Sequence, residues 1–184
     1  MAVNLQKGQK ISLNKEAGSA LTQVVMGLGW DAAKKKGFLG FGGGSQDIDL
    51  DASCLMFDAG GALVDAVWFR QLRSKDSSIE HTGDNRTGDG AGDDEQIKVA
   101  LDRVPATVKS LVFTVNCFTG QDFSQVENAF CRILDGRTQQ EIAATTCRCR
   151  ASTTRKSWPN SIAITTSGRC TPLAKTDSGA PLKT

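Results

Sequence analysis

Apolar residues in this chain alternate with polar ones, and nowhere do they recur at helical spacing for three turns. Leu111, Phe113, Val115 and Cys117 alternate with Val112, Thr114 and Asn116, which puts one apolar face on an extended segment. Ile97, Val99 and Leu101 alternate with Gln96, Lys98 and Ala100 in the same way. Further strand-like runs are Ile11–Leu13, Val24–Leu28, Ala52–Phe57, Leu63–Phe69 and Ala129–Leu134, separated by Gly, Asp and Asn. Gln121–Glu127 could form one helical turn. Many short strands at this spacing predict an all-β chain folded as an antiparallel β-sandwich. Its two long connections, Ala32–Gln46 and Ser74–Asp94, exceed the ordinary loop length of about 12–15 residues, where function concentrates.

Composition narrows the function classes. The chain has 184 residues, 39% hydrophobic and 23% charged, with a formal net charge of +2. That suits one globular domain and argues against a basic arm for nucleic acid. No apolar run approaches the ~20 residues of a membrane span, so no direct membrane insertion is expected. The opening MAVNLQKGQK lacks the apolar centre of an export signal. A cytoplasmic location with reduced thiols is therefore expected. The charge is unevenly placed: residues 1–142 carry 15 basic and 19 acidic groups, and residues 143–184 carry 7 basic and 1 acidic. The final 42 residues include 14 Ser or Thr, and apolar periodicity fades there, so an irregular tail is expected.

Chemistry concentrates in the second long connection. From His81 to Glu95 there are five acids (Asp84, Asp89, Asp93, Asp94, Glu95), Asn85 and four glycines. Adjacent carboxylates repel, and glycine lets a loop turn its carbonyls inward. Hard cations such as Ca²⁺ take six to eight oxygen ligands of these types. The spacing is not that of an EF-hand, because Asp89-Gly90-Ala91-Gly92-Asp93 lacks oxygen donors at alternate positions. A second acidic run, Asp47-Ile48-Asp49-Leu50-Asp51, alternates strictly, so an extended chain sets its three carboxylates on one face. Aligned like charges on a sheet face are unfavourable unless neutralised. One cation between the two runs satisfies both.

Other features carry less. Lys34-Lys35-Lys36-Gly37 precedes a glycine-rich stretch, whereas a phosphate-binding loop places its lysine after the glycines and before a helix. It reads as an exposed loop, with anion binding as the alternative. His81, the one histidine, reads as a loop residue bonded to its neighbours, and no Ser-His-Asp or Cys-His set can be assembled around it. Trp30 reads as core packing. Cys54, Cys117 and Cys131 lie in apolar runs and read as buried thiols, and Cys147-x-Cys149 with a distant Cys170 is a poor zinc pattern.

At these residues the chain resembles a known family. Gly27-Leu28-Gly29-Trp30-Asp31, Asp49-Leu50-Asp51-Ala52-Ser53, Gly83-Asp84-Asn85-Arg86-Thr87-Gly88, Gly92-Asp93-Asp94-Glu95 and Val126–Arg132 look like the ordered motifs of the TerD tellurite-resistance and stress-response family. Trp68-Phe69 and the Lys34–Gly44 stretch look closer to its TerZ-like branch. The resemblance implies a β-sandwich that binds Ca²⁺ through acidic loops. It implies partners among other tellurite-resistance operon proteins, some membrane-bound, and brings no established catalytic activity. By the resemblance, Asp31, Asp47, Asp49, Asp84, Asn85, Asp93, Asp94 and Glu95 are candidate ligands or near-ligands, with Asp51 among or behind them.

The resemblance covers roughly residues 1–143, and the family's closing Tyr-Arg-His and Glu-Trp segment is missing. Codons begun one base earlier across Ser157–Lys175 can be chosen to read Met-Ala-Lys-Leu-Tyr-Arg-His and then Asn-Asp-Glu-Trp. The expectation is a domain over 1–143 lacking its last strands, and a tail over 144–184 that is disordered or shifted in frame. DNA sequence across the Ala143 codon decides between the two. In function, a non-catalytic Ca²⁺-binding scaffold is expected. The alternative is a hydrolase using the same acids with Mg²⁺ or Mn²⁺.

Overall fold

The computed structural model describes residues 2–5, 11–32, 49–88, 92–117, 126–146, 161–165 and 169–173. The elements are β1 (Val3–Asn4), β2 (Ile11–Ser12), α1 (Leu13–Ala17), β3 (Gln23–Ala32), β4 (Leu50–Asp58), β5 (Leu63–Val67), β6 (Ile79–His81), β7 (Glu95–Ala100), β8 (Val108–Cys117), β9 (Val126–Asp135), β10 (Glu141–Thr146), β11 (Ser161–Thr165) and β12 (Arg169–Leu173). They form two six-stranded sheets, ordered β1-β10-β9-β3-β7-β6 and β2-β12-β11-β8-β4-β5. Among these elements the one helix is a five-residue turn, closed by Gly18 at φ +70°. No helix among the described residues is long and apolar enough to cross a membrane.

The all-β expectation holds, and alternation is the reason. Val24, Met26 and Leu28 of β3 and Ile97 and Val99 of β7 turn to one buried core. Ala52, Cys54 and Met56 of β4 and Leu111, Phe113 and Val115 of β8 meet them from the other sheet. Each buried Leu, Ile or Phe side chain contributes about 1.5–3 kcal/mol. Cys54 and Cys131 are free and buried as expected, and burial pushes the Cys54 thiol pKa upward.

Pairing is antiparallel except at one edge, where β1 runs parallel to β10. β10 passes through residue 143, the boundary at which the resemblance fades. The stretch expected to be irregular contains β11 and β12, which sit between β8 and β2. Ser161-Ile162-Ala163-Ile164-Thr165 has the β-branched residues at alternate positions that such a strand needs. The remainder of 147–184, the Lys34–Gly44 stretch and residues 121–125 of the helical turn read over Gln121–Glu127 lie outside the described residues, while Val126 and Glu127 open β9. β6 was not expected. It is cut out of the long second connection and pairs with β7 from Ile79 to His81.

Candidate metal centre

β4 presents two carboxylates because of its alternation. Leu50, Ala52, Cys54 and Met56 face the core, so Asp49 and Asp51 turn the other way. Both are nearly buried: Asp49 is 7% exposed and Asp51 4%. Asp84, on the exposed loop after β6, comes to meet them, and one carboxylate oxygen from each of the three lies within 4.8 Å of the others. Asp49 Oδ1 and Asp51 Oδ2 are buried with no hydrogen-bond partner. Burial, then Asp49, Glu95 and Asp84, push the Asp51 pKa up to about 7, with His81 opposing. Asp49 is raised by burial, Asp84 and Glu95, against a pull from Arg86. Buried acceptor oxygens without donors are costly, and crowding three carboxylates adds repulsion.

The acids at 93–95 behave differently. Side by side in sequence, they leave the chain in three directions, and each finds its own donors. Asp93 folds over the outer face of the first sheet, where it accepts from Arg132 Nε at 2.8 Å and Gln96 Nε2 at 2.9 Å. Asp94 continues the β3 ladder: its N–H donates to Leu28 O, and its Oδ2 accepts from the Trp30 N–H at 2.9 Å. Glu95 points inward to β4. β5 pairs β4 only as far as Cys54, and beyond that point the Ala52 N–H donates to Glu95 Oε2 at 2.8 Å. The three side chains thus diverge to separate donors, yet burial first, and then Asp31, Asp93 and Glu95, still hold the Asp94 pKa above its ordinary value against the Trp30 amide.

Glycine makes the divergence possible. A Cβ on Gly27 would overlap the Asp93 carboxylate, and one on Gly29 would overlap the Phe130 ring and the Gly92 carbonyl. The bare face of β3 is a track on which residues 92–94 lie.

Asn85 organises the loop. Its Oδ1 accepts from the N–H groups of Thr87 and Gly88, and its Nδ2 donates to Asp94 Oδ1. Asp31 is exposed and held by Asn128 Nδ2 at 2.7 Å. Of the residues expected at the site, Asp49 and Asp84 therefore converge, joined by Asp51. Glu95, Asn85 and Asp94 bond instead to one another and to the amides of Ala52 and Trp30. Asp93 and Asp31 engage other partners, and Asp47 lies outside the described residues. Arg132 is a partner that sequence reasoning did not single out. Its charge near an acidic loop gave no signal, because 39 residues separate it from Asp93.

The Arg132–Asp93 pair yields a stability prediction. The Asp93 side chain is 1% exposed and that of Arg132 30%. Arg132→Met strands a buried carboxylate and is expected to cost about 1–3 kcal/mol in urea denaturation, discounted for the partly wet guanidinium. A midpoint equal to that of the unaltered chain contradicts it.

Against known proteins, the TerD domain matches residues 1–156. The tellurium resistance protein TerZ of Serratia marcescens is 54% identical over 142 residues, covering 77% of this chain and 72% of that protein. The stress response protein SCP2 of Bacillus subtilis (strain 168) is 44% identical over 154 residues, covering 77% and 75%. Among solved structures, a TerD homologue from Streptomyces coelicolor A3(2), SCO6318, superposes with a TM-score of 0.63 at 20% identity, covering 87% of this chain and 94% of that one. That likeness speaks for the fold alone. On the sequence matches, this chain belongs to the TerD family of tellurium-resistance and stress-response proteins.

Proposed function

We propose that this chain is a Ca²⁺-binding module of tellurium resistance and stress response, which acts by binding rather than by catalysis. One observation carries the reading: Asp49, Asp51 and Asp84 converge, and two of their buried oxygens have no donor. Hard carboxylate oxygens suit a hard divalent cation, and a group part-way to the surface leaves room for water and backbone carbonyls in the six-to-eight-fold shell of Ca²⁺. A bound cation supplies positive charge there. Asp49 and Asp51 bring it to the edge of β4, and Asp84 ties the second connection to that edge. The joined surface then serves as the contact for a partner, for which the other proteins of a tellurite-resistance operon, some of them membrane-bound, are the first candidates. His81, 2% exposed and turned into the fold, supports binding over acid–base chemistry.

Calorimetric titration with Ca²⁺ tests the reading. Saturable heat is expected for the unaltered chain and at least a tenfold weaker response for Asp49→Asn. Absence of heat at millimolar Ca²⁺ rejects it, and a tighter response to Mg²⁺ replaces the cation.

A further inference from the structure

Glu95 has no exposed surface, and its carboxylate meets two segments, one at Ala52 and one spanning His81 to Asn85. Oε2 accepts from the N–H of Ala52, the neighbour of Asp51, at 2.8 Å. Oε1 accepts from the N–H of Asn85, the neighbour of Asp84, at 3.2 Å. The segment of Asn85 also supplies His81, whose side chain is wholly buried. Its Nδ1 accepts from the Gly83 N–H at 3.1 Å, so the hydrogen-bond network assigns the ring proton to Nε2. That Nε2 faces Glu95 Oε2 at 3.4 Å and has no hydrogen-bond partner of good geometry.

From these contacts we infer that Glu95 and His81 are positioning residues for the Asp49–Asp51–Asp84 group. The inference rests on the reading of that group as a cation site. Glu95 holds the backbone beside Asp51 and the backbone beside Asp84 with its two oxygens, which sets how far apart those two carboxylates stand. The His81 ring packs against Glu95 Oε2 at 3.4 Å and so limits where that oxygen can lie, and through Gly83 it anchors the start of the loop that carries Asp84. The oxygens left without donors belong to Asp49 and Asp51, whereas those of Glu95 are already engaged by backbone amides. Groups that orient metal ligands from behind weaken affinity by 10–100-fold when removed.

The test compares His81→Leu, which removes the ring nitrogens, with His81→Gln, whose amide nitrogen reaches a position similar to that of Nε2. Both are made in the full chain and titrated calorimetrically with Ca²⁺ alone at one pH, with circular dichroism as the check of folding. His81→Leu is expected to weaken Ca²⁺ binding about tenfold, and His81→Gln to recover most of the loss. A purely space-filling histidine gives no such rescue. Leucine binding as tightly as histidine, or glutamine binding no better than leucine, overturns the inference.

If His81→Leu does not fold, long-range ¹H–¹⁵N spectra of the unaltered protein decide. A proton on Nε2 alone, with and without Ca²⁺, is the expected signature, and a proton on Nδ1 alone overturns the inference. Should the unaltered chain take up no Ca²⁺, the cation reading fails, and the ring signals still judge the His81–Glu95 contact.

Discussion

Asp51→Asn is expected to raise the melting temperature of the cation-free protein while removing most of its response to Ca²⁺. The two effects have one cause. Asp51 is 4% exposed, lies beside Asp49 and Asp84, and has its pKa pushed up to about 7. An amide of the same shape removes the repulsion and the cost of burying a charge. A gain of about 1–2 kcal/mol corresponds to roughly 2–8 °C for a domain of this size. On the proposed binding, Ca²⁺ at a hundred times its dissociation constant is expected to stabilise the unaltered chain by about 2.7 kcal/mol, and the variant lacks one of the proposed carboxylate ligands. Melting curves with and without Ca²⁺ should therefore cross between the two proteins. Asp51→Asn melting lower without Ca²⁺ and gaining as much from it contradicts the electrostatic account.

The pH dependence follows with its sign. The Asp51 pKa is higher in the folded state than in the unfolded chain, so folding takes up a proton there. That contribution is complete below the unfolded value of about 4 and is lost as pH rises toward about 7. Asp49, also raised, acts in the same direction. Asp76 acts oppositely. Burial alone would raise it, but hydrogen bonds from Ser78 and Ser74 lower it below its ordinary value, so its contribution is lost as pH falls below about 4. The cation-free protein is thus expected to lose stability between about pH 4 and pH 7, a slope that Asp51→Asn flattens. On the proposed binding, saturating Ca²⁺ is expected to remove that slope by favouring the ionised carboxylates. Denaturant midpoints across this range, with and without chelator, measure it.

Gly29→Ala should be among the most damaging small substitutions in the chain. Its backbone is not in a left-handed conformation, so strain is not the reason. The added methyl would overlap the Phe130 ring and the Gly92 carbonyl, one on the neighbouring strand β9 and the other on the acidic connection. The carbonyl is backbone and cannot rotate away. Overpacking of this kind costs about 1–3 kcal/mol, and the backbone clash places Gly29→Ala at the upper end. Gly27→Ala pushes instead on the Asp93 carboxylate and strains its bond to Arg132. Gly60→Ala is the control: its Cβ would meet only Asp58 Oδ1, at 3.4 Å, in an exposed turn. Thermal melts should show a loss of roughly 4–12 °C for Gly29→Ala and about none for Gly60→Ala. Equal melting of the two discards the view of β3 as a bare track.

Fold class was readable without coordinates, because it rests on local patterns, and the acids of the candidate site stood out by their clustering. A period of two over Leu111–Cys117 and Ile97–Leu101 has one folded outcome, since a single buried face must meet another. Asp49, just before β4, and Asp51, two residues on, share a side for the same reason, as their approach to Asp84 shows. Strands without a strong pattern escaped notice. β1 is two residues long and β6 three, and both exist through their neighbours' hydrogen bonds.

The division of labour among the acids was decided by tertiary structure alone. Asp93, Asp94 and Glu95 are equivalent in sequence, three carboxylates in a row. Only the fold brings Arg132 to the first, the Trp30 amide to the second, and the Ala52 amide with His81 to the third. Those partners lie 39, 64 and 43 residues away, with His81 14 residues upstream in a strand of its own. Charge counting registers how many negative groups a loop holds. Which of them receive donors depends on where distant backbone amides and an arginine come to lie, and that is settled when the two sheets pack.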